Sequence, residues 1–235
     1  MIWKPRDLIF PPRCPMCDEV LGLEEDKICN ACLGLLPFIK EPTCMKCGKQ
    51  LDDKEEEYCQ DCSRRVKHFV RGYPLFNYIE PVSSSLQRFK YGGREEYAEY
   101  YGRALREHAG EHLIKNGVQA LVPVPIHKRR YITRGYNQAE LIARALSEET
   151  GIPVRTDMII RTENTKPQKD LDDLAREENL ARAFAPGRMS SVVPECVCIV
   201  DDIYTTGSTI EACTNVVMAA GVKRVYYVSV AIGRV

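Results

Sequence analysis

The sequence predicts an α/β protein: a mostly parallel β-sheet flanked by helices, preceded by a small cysteine-rich module. Three observations predict it. Eight of the eleven cysteines fall between positions 14 and 62, as evenly spaced Cys-x-x-Cys pairs. From Phe69 onward, short apolar runs alternate with amphipathic stretches, the pattern of strands exchanging with helices over a sheet covered on both faces. The 235 residues leave room for one mid-sized core plus a small attached unit, divided here as 1–68 and 69–235.

Composition narrows the function classes. Formal net charge is zero, so the whole chain does not attract DNA or anionic membrane, and any nucleic-acid contact needs a local basic surface. One such stretch exists: His127 to Arg134 holds Lys128, Arg129, Arg130 and Arg134. No apolar run reaches the ~18 residues of a membrane span, and the opening Met-Ile-Trp-Lys-Pro-Arg-Asp lacks the apolar core of a signal peptide. The expectation is therefore a cytoplasmic protein without membrane insertion, in a compartment that disfavours structural disulfides.

The cysteine pairs are Cys14/Cys17, Cys29/Cys32, Cys44/Cys47 and Cys59/Cys62, with eleven residues between successive pairs. Aligning Cys14 with Cys44 superposes all four cysteines and sets Leu21 over Leu51, so a thirty-residue unit is repeated. A Cys-x-x-Cys turn aims two thiolates at one ion, and a second turn completes a tetrahedral S₄ shell. Such shells suit zinc or an iron–sulfur centre. Evenly spaced pairs in ribbons favour two structural Zn²⁺ ions. A segment this short and polar draws its folding free energy from the metal, so chelation is expected to unfold it and leave the second domain largely intact. Redox-active pairs would need a thioredoxin-like βαβ setting, which is missing here. Ribbon pairing gives Cys14, Cys17, Cys29, Cys32 and Cys44, Cys47, Cys59, Cys62; interleaving between repeats remains open at this stage.

Phe69 to Ile79 reads as extended and aromatic, interrupted by Pro74. Pro81 to Lys90 forms a short helix with proline in its first turn, broken by Gly92-Gly93, and Glu95 to Lys115 has helical length and composition. Ala120 to Val124 is a buried strand ending at Pro125. Asn137 to Glu149 is a helix with its stripe at Leu141, Ile142, Ala145 and Leu146, closed by Gly151 and Pro153. Residues 162–170 form a polar loop, followed by a helix over Leu171 to Arg182. Cys196 to Val200 and Arg224 to Ala231 are strands.

The most informative stretch is Cys196 to Ala220. Its strand runs into Asp201 and Asp202, then a loop over Ile203 to Thr209, then a helix with inner face Ile210, Cys213, Val217 and Ala220. Such a loop lies at the carboxyl end of a parallel strand, where α/β sheets bind ligands, and it leads into a helix start that favours phosphate. Thr205, Thr206, Ser208 and Thr209 add hydroxyl donors, and Gly207 lets the backbone approach closely. Paired carboxylates suit the vicinal hydroxyls of a ribose. A plainer reading makes the acids solvent-facing and the hydroxyls helix caps, but two adjacent acids after a buried strand repel one another to no purpose in that role. Neither G-x-x-x-x-G-K-[ST] nor G-x-G-x-x-G occurs.

At these residues VDDIYTTGST resembles the phosphoribosyl pyrophosphate (PRPP) signature of type I phosphoribosyltransferases. Leu121 to Leu146, together with FPPRCPMC, FKYGG at 89–93, and Pro167-Gln168 leading to Asn179 and Phe184, resembles the ComF family of competence-related proteins. The resemblance covers nearly the whole chain, and it implies a type I phosphoribosyltransferase-like domain behind a double zinc ribbon. It implies that Asp201 and Asp202 bind the ribose hydroxyls of PRPP and that Thr205, Thr206, Gly207, Ser208 and Thr209 hold its 5-phosphate. Val124 to His127, including Pro125, would face pyrophosphate, and Mg²⁺ would accompany PRPP. Arg134 is a candidate anion contact, weighed evenly against a solvated basic turn, as Asn137 and Gln138 are against a plain helix start. Lys166 and Lys169 sit where a mobile loop can supply a cation, and the acceptor-setting hood would lie around Tyr73 to Gly93.

Two classes of function follow. One is a phosphoribosyltransferase, in which a nitrogen nucleophile displaces pyrophosphate from C1 through an oxocarbenium-like transition state; nucleotide salvage is a variant of it. The other is a non-catalytic module that binds single-stranded DNA or senses PRPP, with DNA-uptake proteins as partners. There Tyr131 and Tyr136 would stack bases beside the basic residues. His127 is read as packing or surface.

Overall fold

The computed structural model describes residues 11–22, 25–162, 183–189 and 192–233. In the cysteine-rich stretch the thirty-residue repeat recurs in its main turn bonds. Cys14 N donates to Glu19 O and Cys44 N to Lys49 O, each at 2.8 Å, while Leu21 N and Leu51 N reach back to Pro12 O and Pro42 O. Single bridges, Arg13–Val20 and Thr43–Gln50, close matching antiparallel tongues. Short helices α1 (Asn30–Leu33) and α2 (Gln60–Arg64) start directly after Cys29 and Cys59.

The copies diverge at one turn. Asp18 and Gly48 both take a left-handed backbone, with φ of 65° and 71°. A Cβ at Gly48 would stand 2.6 Å from both Gly72 O and Pro74 Cδ, so only glycine lets the second copy lie against the sheet. The first copy uses a side chain instead: Asp18 accepts from Arg94 Nη2 at 2.7 Å and Tyr97 Oη at 2.6 Å.

The remaining elements, in chain order, are β1 (Arg71–Asn77), α3 (Val82–Tyr91), α4 (Tyr97–Leu105), α5 (Glu111–Lys115), β2 (Ala120–Pro123), α6 (Lys128–Arg134), α7 (Gln138–Thr150), β3 (Ile159–Arg161), β4 (Phe184–Pro186), β5 (Cys196–Tyr204), α8 (Ser208–Ala219) and β6 (Arg224–Ile232). One π-helical turn, Arg106–Gly110, joins α4 to α5. The sheet runs β1-β6-β5-β2 with every pairing parallel, and β3-β4 form a separate antiparallel pair. Pro74 is tolerated in β1 because that strand lies at the sheet's margin.

Alternation along the central strands sorts the core into two layers. Cys196, Cys198 and Val200 face Tyr101, Leu105, Ile142 and Leu146 of α4 and α7, and this layer also takes in Cys14, Met16 and Leu21 of the first ribbon. Val197 and Ile199 face Ile210, Cys213 and Val217 of α8, with Cys44, Cys47 and Leu51 of the second ribbon. Each ribbon thus finishes one layer of the core. The margins of the sheet are also bonded. Ile39 N donates to Leu75 O, Asn77 N to Pro37 O and Gly72 N to Lys46 O, while Pro153 O and Arg155 N flank Leu121 of β2.

The structure amends several expectations. The strand at Cys196 does not stop at Val200: ladder pairing with β6 carries it through Asp201, opposite Ser229, to Tyr204, opposite Ile232, which shortens the expected loop. The basic turn at 127–134 is helix α6. The buried stripe of α7 is Gln138, Ala139, Ile142, Ala143 and Leu146, with Leu141 and Ala145 half-buried. On α8 the inner face holds Thr214, whose hydroxyl donates to Ile210 O at 2.8 Å, while Ala220 caps the helix. Residues 163–182, with Lys166, Lys169, Pro167, Gln168, Asn179 and the helix expected over Leu171 to Arg182, lie outside the described residues. Among the described residues no helix is long and apolar enough to cross a membrane.

Candidate functional site

Two sets of groups stand out. The first is a pair of cysteine clusters. Cys14, Cys17, Cys29 and Cys32 bring their sulfurs within 4.8 Å of one another, as do Cys44, Cys47, Cys59 and Cys62. Pairing therefore stays within each repeat. A tetrahedron with Zn–S of about 2.3 Å puts sulfurs roughly 3.8 Å apart; Cys17 and Cys29 stand at 3.8 Å and Cys47 and Cys59 at 3.6 Å. Both sites fit structural Zn²⁺. Crowding splits the thiols of the second site: bonds from Cys47, Cys59 and Cys62 hold Cys44 well below the ordinary thiol range, and bonds with Cys44, Cys59 and Cys62 push Cys47 far above it. Such a cluster keeps several sulfurs anionic only with a cation at its centre.

The second set lines a cavity of about 680 Å³ at the carboxyl ends of β2 and β5. Asp201, Asp202, Thr205, Thr209, Val124, Pro125 and Arg134 all border it. Thr206 and Gly207 lie in the same loop and Ser208 opens α8, none of them lining the cavity. None of the hydroxyls caps α8: its N-cap is Gly207, with no side-chain cap bond, and Thr206 Oγ1 bonds Ser208 Oγ at 2.9 Å instead. The first amides of α8 are left without a side-chain partner from the cluster, which argues against a purely capping role for it. Gly207 has φ 77°, and a Cβ there would lie 2.1 Å from Tyr204 Oη. Gly207→Ala should therefore deform the loop and weaken any ligand the loop holds at least about tenfold, on the scale of a strained left-handed residue, while zinc content stays unchanged; titration calorimetry with PRPP checks this.

The acids are strained by design. Lys90 Nζ stands 3.0 Å from Asp202 Oδ2. Asp201 keeps a surface toward the cavity, yet its carboxyl lies deep among protein atoms; that burial, with the charge of Asp202 added, pushes its pKa up to about 7, against a partial pull downward from Lys90 and Arg161. The sign follows. The folded chain holds this proton more tightly than the unfolded chain, so the group costs stability increasingly as pH rises from about 4 to about 7, and by a constant amount above that. Asp201→Asn should melt with its parent near pH 4 and above it at pH 8, by about 2 kcal/mol after allowing for water in the cavity. A melting difference that does not grow with pH would remove this account.

Several lining residues were not singled out as site residues from the sequence. Lys90, Tyr78 and Tyr91 arrive from the stretch after β1, and Arg129, Arg130 and Thr133 from α6. Arg161 of β3 lies over the Phe184 ring at 5.1 Å. Arg134 is fixed by Gln138 Oε1 and Tyr91 Oη, each at 3.0 Å, and lies over the Tyr91 ring at 4.8 Å. Asn137 starts α7, its Oδ1 accepting from Ala139 N at 3.2 Å, and its Nδ2 donates to Val124 O at 3.0 Å, holding the loop after β2. Gln138 is buried at the cavity wall with Nε2 unpartnered, a donor left over for a ligand. His127 caps α6, accepting from Arg129 N at 3.1 Å. Tyr136 cannot stack bases, since it is buried and its hydroxyl donates to Phe89 O; Tyr131 is half exposed at 50%.

The fold and the metal clusters define the class: a parallel α/β protein carrying paired Cys₄ ribbons, and residues 6–63 match the family described as "Double zinc ribbon domain". Over most of its length the chain is similar to proteins named for competence and for DNA utilisation. It is 29% identical over 221 residues to "Competence protein F" of Haemophilus influenzae, covering 92% of this chain and 95% of that one. It is 28% identical over 222 residues to "DNA utilization protein YhgH" of Escherichia coli K12, covering 93% and 96%. It is 24% identical over 230 residues to "Competence protein ComFC" of Bacillus subtilis, covering 88% and 89%.

Proposed function

We propose that this chain binds PRPP with Mg²⁺ and acts in the cytoplasm in the handling of incoming DNA. One observation carries the ligand: two acids suited to a ribose diol and the threonine loop at an uncapped helix start border one cavity. Thr205 to Thr209 and the first amides of α8 would take the 5-phosphate, and Asp201 and Asp202 the ribose hydroxyls. Val124 and Pro125 would border the pyrophosphate, with Arg134, Arg129 and Arg130 as counter-charges. Mg²⁺ would arrive with the ligand's phosphates, taking few ligands from the protein, and would supply charge neutralisation for the departing pyrophosphate. The names of the relatives support a role in DNA uptake and utilisation.

In the enzymatic reading a nitrogen nucleophile bonds to C1 as the C1–O bond breaks, and pyrophosphate departs with the electron pair. The chain's part is to position the sugar and neutralise the leaving group. The acceptor would approach past Tyr78 and Tyr91. The alternative, a non-catalytic module for single-stranded DNA, is supported by α6, where exposed Tyr131 stands among Lys128, Arg129 and Arg130. A thermal-shift series separates the readings. PRPP with Mg²⁺ at a hundred times its Kd should add about 2.7 kcal/mol, a rise of roughly 5–10 °C for a chain of this size. Pyrophosphate release with added nucleobases then marks the enzyme. A shift with oligonucleotides alone would replace the PRPP reading with the DNA module.

A further inference from the structure

The loop at 205–209 does not rest on the sheet alone. Tyr204, the last residue of β5, lies flat on Tyr227 of β6, with ring centroids 4.9 Å apart and planes 7° from parallel. Tyr227 Oη donates to the main-chain oxygen of Cys47 at 2.7 Å, and Cys47 is a member of the second Cys₄ site. Phe69 closes the stack edge-on, 5.1 Å from Tyr227 and 6.5 Å from Tyr204. On the other side of the stack, Gly207 sits so tightly on the hydroxyl end of Tyr204 that no Cβ fits between them. A second tie runs alongside: Lys67 Nζ, just past the ribbon, donates to Thr206 O at 3.3 Å. The first ribbon is placed differently. Its contacts run to α3, α4 and the turn between them, through Arg88 to Met16 O and through Arg94 and Tyr97 to Asp18.

We propose that Tyr204 and Tyr227 are positioning residues through which the second Cys₄ site sets the shape of the phosphate loop, so that zinc there and ligand in the cavity hold each other in place. The proposal rests on the reading of 205–209 as a phosphate loop. Its physical basis is rigidity. With zinc bound, the turn at Cys47 is fixed, so its carbonyl fixes the Tyr227 hydroxyl. The stacked rings cannot slide without opening the buried layer, and Gly207 follows Tyr204. With zinc lost, the Cys47 turn relaxes and the floor beneath Gly207 moves with it. Coupling of this kind is reciprocal: whatever zinc does for ligand affinity, ligand does for zinc affinity. The first site, tied to α3 and α4, lacks this path.

The test is zinc release to a chromogenic chelator from the full chain, with and without PRPP and Mg²⁺. Phases are assigned with Cys17→Ser, which impairs only the first site, at an exposed ligand. Release from the second site should slow about tenfold with ligand, within the usual range of coupling between sites, while release from the first stays unchanged. Tyr227→Phe keeps the stack and drops only the bond to Cys47. It should load both zinc ions, bind PRPP several-fold more weakly and lose most of the protection. Slowing of both phases alike would mean general stabilisation and would overturn the proposal. So would an unchanged second phase under bound ligand, or full protection in Tyr227→Phe. If PRPP does not raise the melting temperature of the unaltered protein, the reading of the cavity falls and this coupling with it. If Tyr227→Phe does not fold, the release phases of the unaltered chain still decide.

Discussion

Replacing Asp201 and Asp202 together with alanine should abolish PRPP binding while the chain remains folded with two zinc ions. Each carboxylate would accept a bond from a ribose hydroxyl, and bonds to a charged acceptor contribute roughly 1.5–3 kcal/mol each. Losing both weakens binding by about two to four orders of magnitude. Stability should hardly fall, because Asp201 is kept in place against burial and against its neighbour's charge. The only described ion pair given up is the one between Asp202 and Lys90. Calorimetric titration with PRPP and Mg²⁺ reads the first effect and a thermal melt the second. Affinity retained within tenfold would remove these two residues from the site.

Loss of zinc from the second ribbon should lower the stability of the whole chain, not only of a detachable front end. Cys44, Cys47 and Leu51 are packed into the same apolar layer as Val197, Ile199 and the inner face of α8, and Tyr227 at the centre of the sheet is bonded to Cys47. The sequence favoured a ribbon that unfolds by itself. Shared packing changes that outcome. Binding of structural zinc carries on the order of 10 kcal/mol in isolated ribbons, so Cys47→Ser should cost at least about 4 kcal/mol and lower the melting temperature by about 10 °C or more. Chelation should give a single transition by far-ultraviolet circular dichroism, with hydrogen exchange rising in β6 along with the ribbons. Two separate transitions, the later one unmoved, would contradict this.

What could be read from the sequence follows from what is local. Ligand spacing is set within a few bonds, so the Cys-x-x-Cys pairs were legible, while their grouping within each repeat came only with the fold; the thirty-residue offset pointed to repeats that share their main turn bonds. Buried parallel strands are continuous apolar runs, so β2, β5 and β6 were visible. The far end of β5 was not, because Asp201 to Tyr204 join the strand through ladder bonds to β6 that no side-chain pattern reports. The three-residue strands β3 and β4 are too short to show a period. Helix α6 is missed because it buries no residue and so carries no apolar stripe. At the cavity, Asp201, Asp202 and the threonine loop were legible as one contiguous motif, whereas Lys90 and Arg161 reach it from distant elements. Only the fold puts those charges opposite the acids. Tyr136 shows the converse: a tyrosine among arginines looks like a surface until the packing of Phe89 beneath it is known.

The hydrogen bonds that Pro37, Ile39 and Lys46 make to β1 have a consequence for handling the molecule. A parallel sheet left with a bare outer strand offers its amides and carbonyls to any other chain. Here the span between the ribbons and the turn of the second one occupy those groups, acting as a guard rail that keeps neighbouring copies from stacking strand to strand. A fragment cut at residue 69 would lose that guard and should aggregate in solution even where its own sheet had formed.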